Sequence, residues 1–446
     1  MNSRLTMPML VLALAGCADV EERPTPIPDW RAGHGDFTVP PASPVNWSDG
    51  LSLDELLSAV GRHGRAVAAL EEWQAARARR VTAGTYPLYP EVEFEGAQSF
   101  GGDRTMAGIS IRQMIELGGR VSKREAVADA GIARAGADAR DMLRELRGRA
   151  RRAYWAAVVA GRKLDVARRS AEVAAKDLEV AVARYEARQA SAIDMNLARV
   201  RSAQARAAVT TAEGEANAAR AEVEAIVWEP APAGWTPADS VPANRPEPDL
   251  AKALQAARAG RPDLAALLAA ADEAGARAVL ASAEAAPELG IGVGYEFGRD
   301  RIEGDGVDIR MSEHSATIGL SLSLPLWNRK RGDILEAEAD RRRFAALHAA
   351  LDSEVGREIA SATAQLRAAS GALDLYEKEI LPTVTKNLDD VRAAYAAGAV
   401  GISDLLRAQQ DYLDAQAESV ELEGAYTQAR ADLETAVDRP FAEFAK

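Results

Sequence analysis

The chain has 446 residues and a formal net charge of −13, with an isoelectric point near 5.1. Phosphate binding needs concentrated positive charge, so this balance argues against a nucleic-acid partner. Apolar residues reach 48% but aromatics only 5%, the excess being alanine, which suits long helices packed through small side chains better than a large globular core.

Arg4 precedes a short apolar stretch from Met7 to Ala15, which ends in Leu14-Ala15-Gly16-Cys17. That stretch is too short for a mature membrane helix and reads as a secretory signal over residues 1–16. The small residues before Cys17 resemble a bacterial lipoprotein processing site, which implies cleavage there and lipidation of Cys17. As the only cysteine, Cys17 excludes an internal disulfide. No later run of eighteen uncharged apolar residues exists, so any membrane crossing must be made by strands.

Residues 17–50 include Pro24, Pro26, Pro28, Pro40, Pro41 and Pro44 and predict an extended tether. A first repeat is expected over residues 51–228. Its strands, at about 91–100 and 106–117, alternate with period two. Val92, Phe94, Gly96, Gln98 and Phe100 share one face against Glu93, Glu95, Ala97 and Ser99. Ile109, Ile111, Ile115 and Leu117 oppose Ser110, Arg112 and Glu116. Helices follow at about 120–188 and 192–228, the first long enough at 1.5 Å per residue to reach roughly 100 Å. Within it the Arg144–Arg152 run, broken by Glu145, reads as a solvated face. Val173, Leu178, Val180, Val182 and Leu197 among alanines give a weak seam for lateral helix packing.

A linker with six prolines spans residues 229–248, and a second repeat covers 249–438. The repeats are in step: an offset of 210 pairs Tyr185 with Tyr395, Asp194 with Asp404, Glu224 with Glu434 and Val227 with Val437. Strands are expected at about 288–298 and 315–326, with Leu289, Ile291, Val293, Tyr295 and Phe297 against glycines and Glu296, and Ile318, Leu320, Leu322, Leu324 and Leu326 against Thr317, Gly319, Ser321 and Ser323. Residues 299–314 read as a charged external loop. Helices are expected at 331–398 and 402–438, leaving a tail at 439–446.

Each strand has the length a tilted strand needs to cross a bilayer, and the alanine-rich helices offer nothing to cover the apolar faces. Four strands leave open edges that hydrocarbon does not tolerate, so copies must close a barrel together. Three copies would give twelve strands around water, though physics alone does not choose three over four. Glu93, Glu95, Arg112, Glu116 and Glu296 would face that lumen.

With the site before Cys17, the duplicated halves, strands entering long helices and the Tyr-to-Asp spacing at each hairpin, the chain resembles the TolC-like outer-membrane efflux proteins. Leu51-Ser52-Leu53-Asp54-Glu55-Leu56-Leu57 and Arg261-Pro262-Asp263-Leu264 strengthen the likeness. Ile115-Glu116-Leu117-Gly118-Gly119-Arg120 and Leu324-Pro325-Leu326-Trp327-Asn328-Arg329 look most like the outer-membrane subunits of cobalt-zinc-cadmium resistance pumps. The resemblance implies a mainly α protein with membrane β. Each protomer would give four strands to a trimeric twelve-stranded barrel, continued by a helical periplasmic tunnel. It further implies a homotrimer in the outer-membrane lipid, lipid-anchored, docked by a periplasmic adaptor and driven by an inner-membrane RND pump. Asp194, Tyr395 and Asp404 would hold the periplasmic gate. A helix-capping role for the two acids competes with that reading. Val400 stands where better-known relatives carry a basic residue, so the gate linkage must differ.

His34, His63, His314 and His348 lack ligand spacing; Glu303, Asp305, Asp308, Glu313 and His314 share one loop that could hold a cation loosely, but a solvated loop is the favoured reading, so no metal site or cofactor is expected. No phosphate loop or activated nucleophile is present, and an enzyme is not expected. The expected cargo is heavy-metal cations; organic drugs, or a lipid-anchored periplasmic scaffold with no channel, are the alternatives.

Overall fold

The computed structural model describes residues 47, 50–98, 104–228, 231, 232, 234–304, 307–397 and 399–445. The signal, Cys17 and almost all of the tether lie outside them.

Helix α1 (Leu53–Ala59) starts with a reciprocal cap: Glu55 N–H donates to Ser52 Oγ at 3.3 Å, and Ser52 N–H donates to Glu55 Oε2 at 2.9 Å. Helix α2 (Gly64–Gly84) leads to β1 (Glu91–Gln98) and β2 (Arg104–Glu116), then α3 (Arg120–Glu186) and α4 (Ala192–Val227). After the linker come α5 (Leu250–Gly260) and α6 (Pro262–Glu284), then β3 (Glu288–Gly304) and β4 (Val307–Ser323). Helices α7 (Arg331–Leu375), α8 (Leu381–Ala396) and α9 (Ile402–Val437) complete the second half.

The four strands form one antiparallel sheet in the order β1-β2-β3-β4, so the two hairpins are joined through β2 and β3. The hairpin of the second half corrects the sequence reading. Residues 299–304 and 307–314, expected within a loop, continue the ladder: Arg299 lies opposite Ser312 and Gly304 opposite Val307. The apolar alternation stops at Phe297, but the backbone pairing does not depend on it. At its other end β4 stops at Ser323, short of the expected Leu324 and Leu326, because Pro325 has no N–H to give a ladder.

The rod expected from residue 331 to 398 is interrupted by a π turn at Tyr376–Ile380. Pro382 supplies the reason. It cannot donate to the carbonyl four residues earlier and its ring crowds that turn, and the wider turn, in which Leu381 N–H donates to Tyr376 O, absorbs the defect.

Below the sheet, α7 and α9 pack Val355, Ile359, Leu366 and Leu373 against Tyr426, Leu433 and Val437, with Phe441 and Phe444 closing the end. A smaller cluster of Ala160, Leu164, Ala212 and Ala216 joins α3 to α4. Small residues allow the close approach: a Cβ on Gly148 of α3 would lie 2.4 Å from Thr435 of α9. The linker returns to the bundle, bridging Leu51 with Pro237 and Pro248 with Ala445.

Candidate functional site

The sheet has two chemically distinct faces, set by register. Val92, Ile111, Val293 and Ile318 form one row across all four strands, and Phe94, Ile109, Tyr295 and Ala316 the next. Paired residues share a face, so alternation in each strand becomes a continuous apolar surface. No described element covers it: Phe94 is 76% exposed, Leu320 73% and Ile318 83%. Tyr89 and Trp327 stand exposed just beyond its inner end, while Tyr295, Phe297 and His314 meet near its outer end. Among the described residues no helix is long and apolar enough to cross a membrane.

The opposite face carries Glu93 beside Ser110, Gly294 and Thr317, and then Glu95, Gly108, Glu296 and Ser315 in one row. Gly108 makes room there, since a Cβ would sit 3.2 Å from Glu296 Cγ. Arg112 lies between Glu91 and Gly292. Glu116 shares this face but is not solvated. Arg124 holds both its oxygens, at 3.0 and 2.8 Å, and its side chain is almost wholly buried. That pairing raises the Arg124 pKa.

The junction motifs have structural duties. Gly118 and Gly119 adopt φ of +80° and +68°, the left-handed region glycine enters without strain. They turn the chain so that Arg120 reaches the end of α6, donating to Ala283 O, Glu284 O and Ala286 O and pairing with Glu288. One guanidinium thus serves three carbonyls at the end of a helix, where intrahelical donors run out. In the second motif Lys330, also left-handed, donates its N–H to Asn328 Oδ1 at 3.1 Å. Arg261 acts similarly on α9: it donates to Ala436 O at 3.0 Å and pairs with Asp263 and Glu358, while Arg144 donates to Thr435 O.

At the far ends of the helices, both predicted acids cap. Asp194 N–H donates to Ser191 Oγ, and Asp194 Oδ2 accepts from Ser191 N–H at 3.1 Å and from its hydroxyl at 2.8 Å. Asp404 Oδ2 accepts from Gly401 N–H at 3.1 Å. Tyr395 lies under the Arg184 guanidinium, 4.5 Å from the ring centroid. Sequence reasoning missed the groups that join the two hairpins near these tips. They are Arg184, the partner of the expected Tyr395, Asp177 accepting from Gln409 Nε2 at 3.2 Å, and Arg201 donating to Leu406 O at 3.0 Å. Burial raises the Asp177 pKa, partly offset by Gln409 and nearby arginines. These pairs span more than 200 residues of sequence, and no local spacing announces them.

Among the described residues no group of three or more His, Cys, Asp or Glu side chains is placed to hold a metal ion. Glu313 and His314 fall on opposite faces of β4, opposite Gly298 and Phe297 respectively, and so cannot act together.

An apolar sheet open to its surroundings, set at the end of long helical hairpins, is the architecture of a TolC-like outer-membrane channel protomer. Residues 253–438 match the family model described as outer membrane efflux protein. Solved channels share the fold over most of the chain at low sequence identity. VceC of Vibrio cholerae has 16% identity and a TM-score of 0.69, covering 87% of this chain and 96% of that one. CmeC of Campylobacter jejuni has 13% identity and a TM-score of 0.70, covering 91% and 89%. The open state of MtrE of Neisseria gonorrhoeae has 18% identity and a TM-score of 0.69, covering 90% and 92%. No curated protein matches by sequence. The chain thus matches the outer membrane efflux protein family model over residues 253–438 and has the fold of solved outer-membrane channels over most of its length.

Proposed function

We propose that three copies of this chain assemble into the outer-membrane exit duct of a tripartite efflux system. One observation carries the reading: among the described residues nothing covers the apolar face of the sheet, and β1 and β4 each have a second edge with no partner strand. Hydrocarbon satisfies the face but not the edges, whereas sister copies satisfy the edges. In this arrangement Glu93, Glu95, Arg112 and Glu296 line the aqueous lumen, and Glu116 steadies the strand–helix junction. Asp194, Tyr395 and Asp404 stand at the periplasmic end, where an adaptor docks and an inner-membrane pump supplies the energy. Cys17 carries the lipid anchor. The protein is a passive duct and not an enzyme.

The test is direct. Purified full-length protein should run as a trimer in unheated detergent gels and give discrete conductance steps in planar bilayers. A monodisperse, water-soluble monomer would end the proposal.

For cargo, heavy-metal cations are favoured by the likeness of the Ile115–Arg120 and Leu324–Arg329 motifs to metal-resistance channels, and acidic groups on the lumen face suit cation passage. Organic drugs are the second reading, favoured by the structural duties those motifs perform. Deleting the gene and comparing zinc, cadmium and cobalt sensitivity with dye and detergent sensitivity decides between them. Raised drug sensitivity with unchanged metal tolerance removes the metal cargo.

A further inference from the structure

The polar face of the sheet carries two arginines, and only one of them is paired. Arg104 meets Asp300 at 3.2 Å, whereas Arg112 makes no ion pair or side-chain hydrogen bond with any described residue, although Glu91 stands directly opposite it on β1. The stem of Arg112 lies over β3 instead: a Cβ built on Gly292 would sit 3.8 Å from both its Cβ and its Cγ. From Arg112 the row continues through Gly292 to Gly319, and a Cβ on Gly319 would meet nothing within 4 Å. Two successive glycines thus leave a floor of bare backbone, about 10 Å across from β2 to β4 at the usual strand spacing. Hydroxyls flank it. One row inward, Ser321 Oγ fills the place a side chain of Gly290 would take, and one row outward Thr317 Oγ1 lies 2.7 Å from a Cβ built on Gly294. Neither hydroxyl has a hydrogen-bond partner among the described residues. All of these groups line one cavity of about 500 Å³.

We propose that Arg112, Thr317 and Ser321 form a transit site for small organic anions, carboxylates above all, an inference that rests on the exit-duct reading, which places this face in the lumen.

A guanidinium without a counter-ion is the strongest recognition group in the slot, and its planar fork matches a carboxylate with two parallel hydrogen bonds. A flat organic group carried by that carboxylate lies along the glycine floor, within reach of hydroxyls that can donate or accept. Packing does not demand the glycine at 292, because a Cβ there would meet its neighbours at ordinary contact distances, the nearest being Ile111 O at 3.5 Å. Bare backbone where the strand tolerates a side chain is what the close approach of a ligand requires. Glu91 and Glu93 stand beside the slot on β1 and oppose a long stay by an anion. Weak holding suits a duct, since a solute must enter a site and also leave it.

The test uses the full-length protein in planar bilayers, with benzoate or benzamidinium added at constant ionic strength. The two probes share a ring and differ in the sign of the head group. Benzoate should interrupt the single-channel current of wild type in a saturable manner, and benzamidinium should not. Loss of a charge-assisted contact weakens binding about tenfold, so Arg112→Gln should raise the half-blocking benzoate concentration by about that factor. Gly319→Val keeps every charge and fills the open floor with a residue that strands accept, and it should weaken the block similarly. Equal block by the two probes, no block of wild type by benzoate, or undiminished block in either variant overturns the site, while normal conductance steps leave the duct standing. Absence of conductance steps in wild type overturns both.

Discussion

At the residue scale, one carboxylate at each tip meets a backbone requirement. Asp194 and Asp404 satisfy free N–H groups where a helix begins, which explains why an acid stands at the same point of both repeats. Asp194→Ala should cost about 1 kcal/mol of local stability, read as faster amide exchange in the first turn of α4. If the tip also gates, Asp404→Ala should raise passive leakage. Unaltered single-channel conductance would show that the acid only caps. Glu423 offers a pH-dependent case. Burial pushes its carboxyl above the ordinary range, and Arg162, 2.6 Å away, pulls it back only in part. The folded form therefore holds its proton more tightly than the unfolded chain. The resulting stability is complete below the unfolded carboxylate pKa and is lost as pH rises through the folded one. Glu423→Gln cannot ionise, so denaturant titrations should find the variant more favourable relative to wild type at pH 7 than at pH 4.

At the element scale, packing between α3 and α9 depends on a missing side chain. Thr435 bonds its own helix, donating to Ala431 O at 2.7 Å, so it cannot swing away from a Cβ added at Gly148. Gly148→Ala should destabilise by about 1–3 kcal/mol, and Thr435→Ala should restore much of that loss in the double variant, measured by thermal melts. This scale also shows how far the sequence could be read. The four strands were legible because Val92 to Phe94, Ile109 to Ile111, Leu289 to Phe297 and Ile318 to Leu322 alternate strictly. The outer hairpin was not, because beyond Phe297 charged residues hide the period. The Asp305-Gly306 pair, a strong two-residue hairpin signal between Ile302 and Ile309, was the available clue. The staples made by Arg120, Arg144 and Arg261 were illegible for another reason. Their acceptors are backbone carbonyls more than 150 residues away, and a carbonyl leaves no mark in sequence.

At the scale of the whole molecule, the sheet predicts its own orientation in the bilayer. Leu320 lies on the apolar face and Ser321 on the other, so Leu320→Arg should lower membrane stability by about 2–4 kcal/mol, whereas Ser321→Arg should insert normally. Reconstitution yield followed by urea extraction distinguishes them, and equal penalties would mean that the faces have been misassigned. The open borders of β1 and β4 have one more outcome. If copies close the barrel as proposed, a solitary chain cannot complete its own ring, and recruitment of neighbours and entry into the bilayer become a single event. Yield should therefore rise more steeply than in proportion to the supply of newly exported chains. Copies that defective siblings leave stranded would become targets for periplasmic proteolysis, so one damaged allele could silence a healthy one.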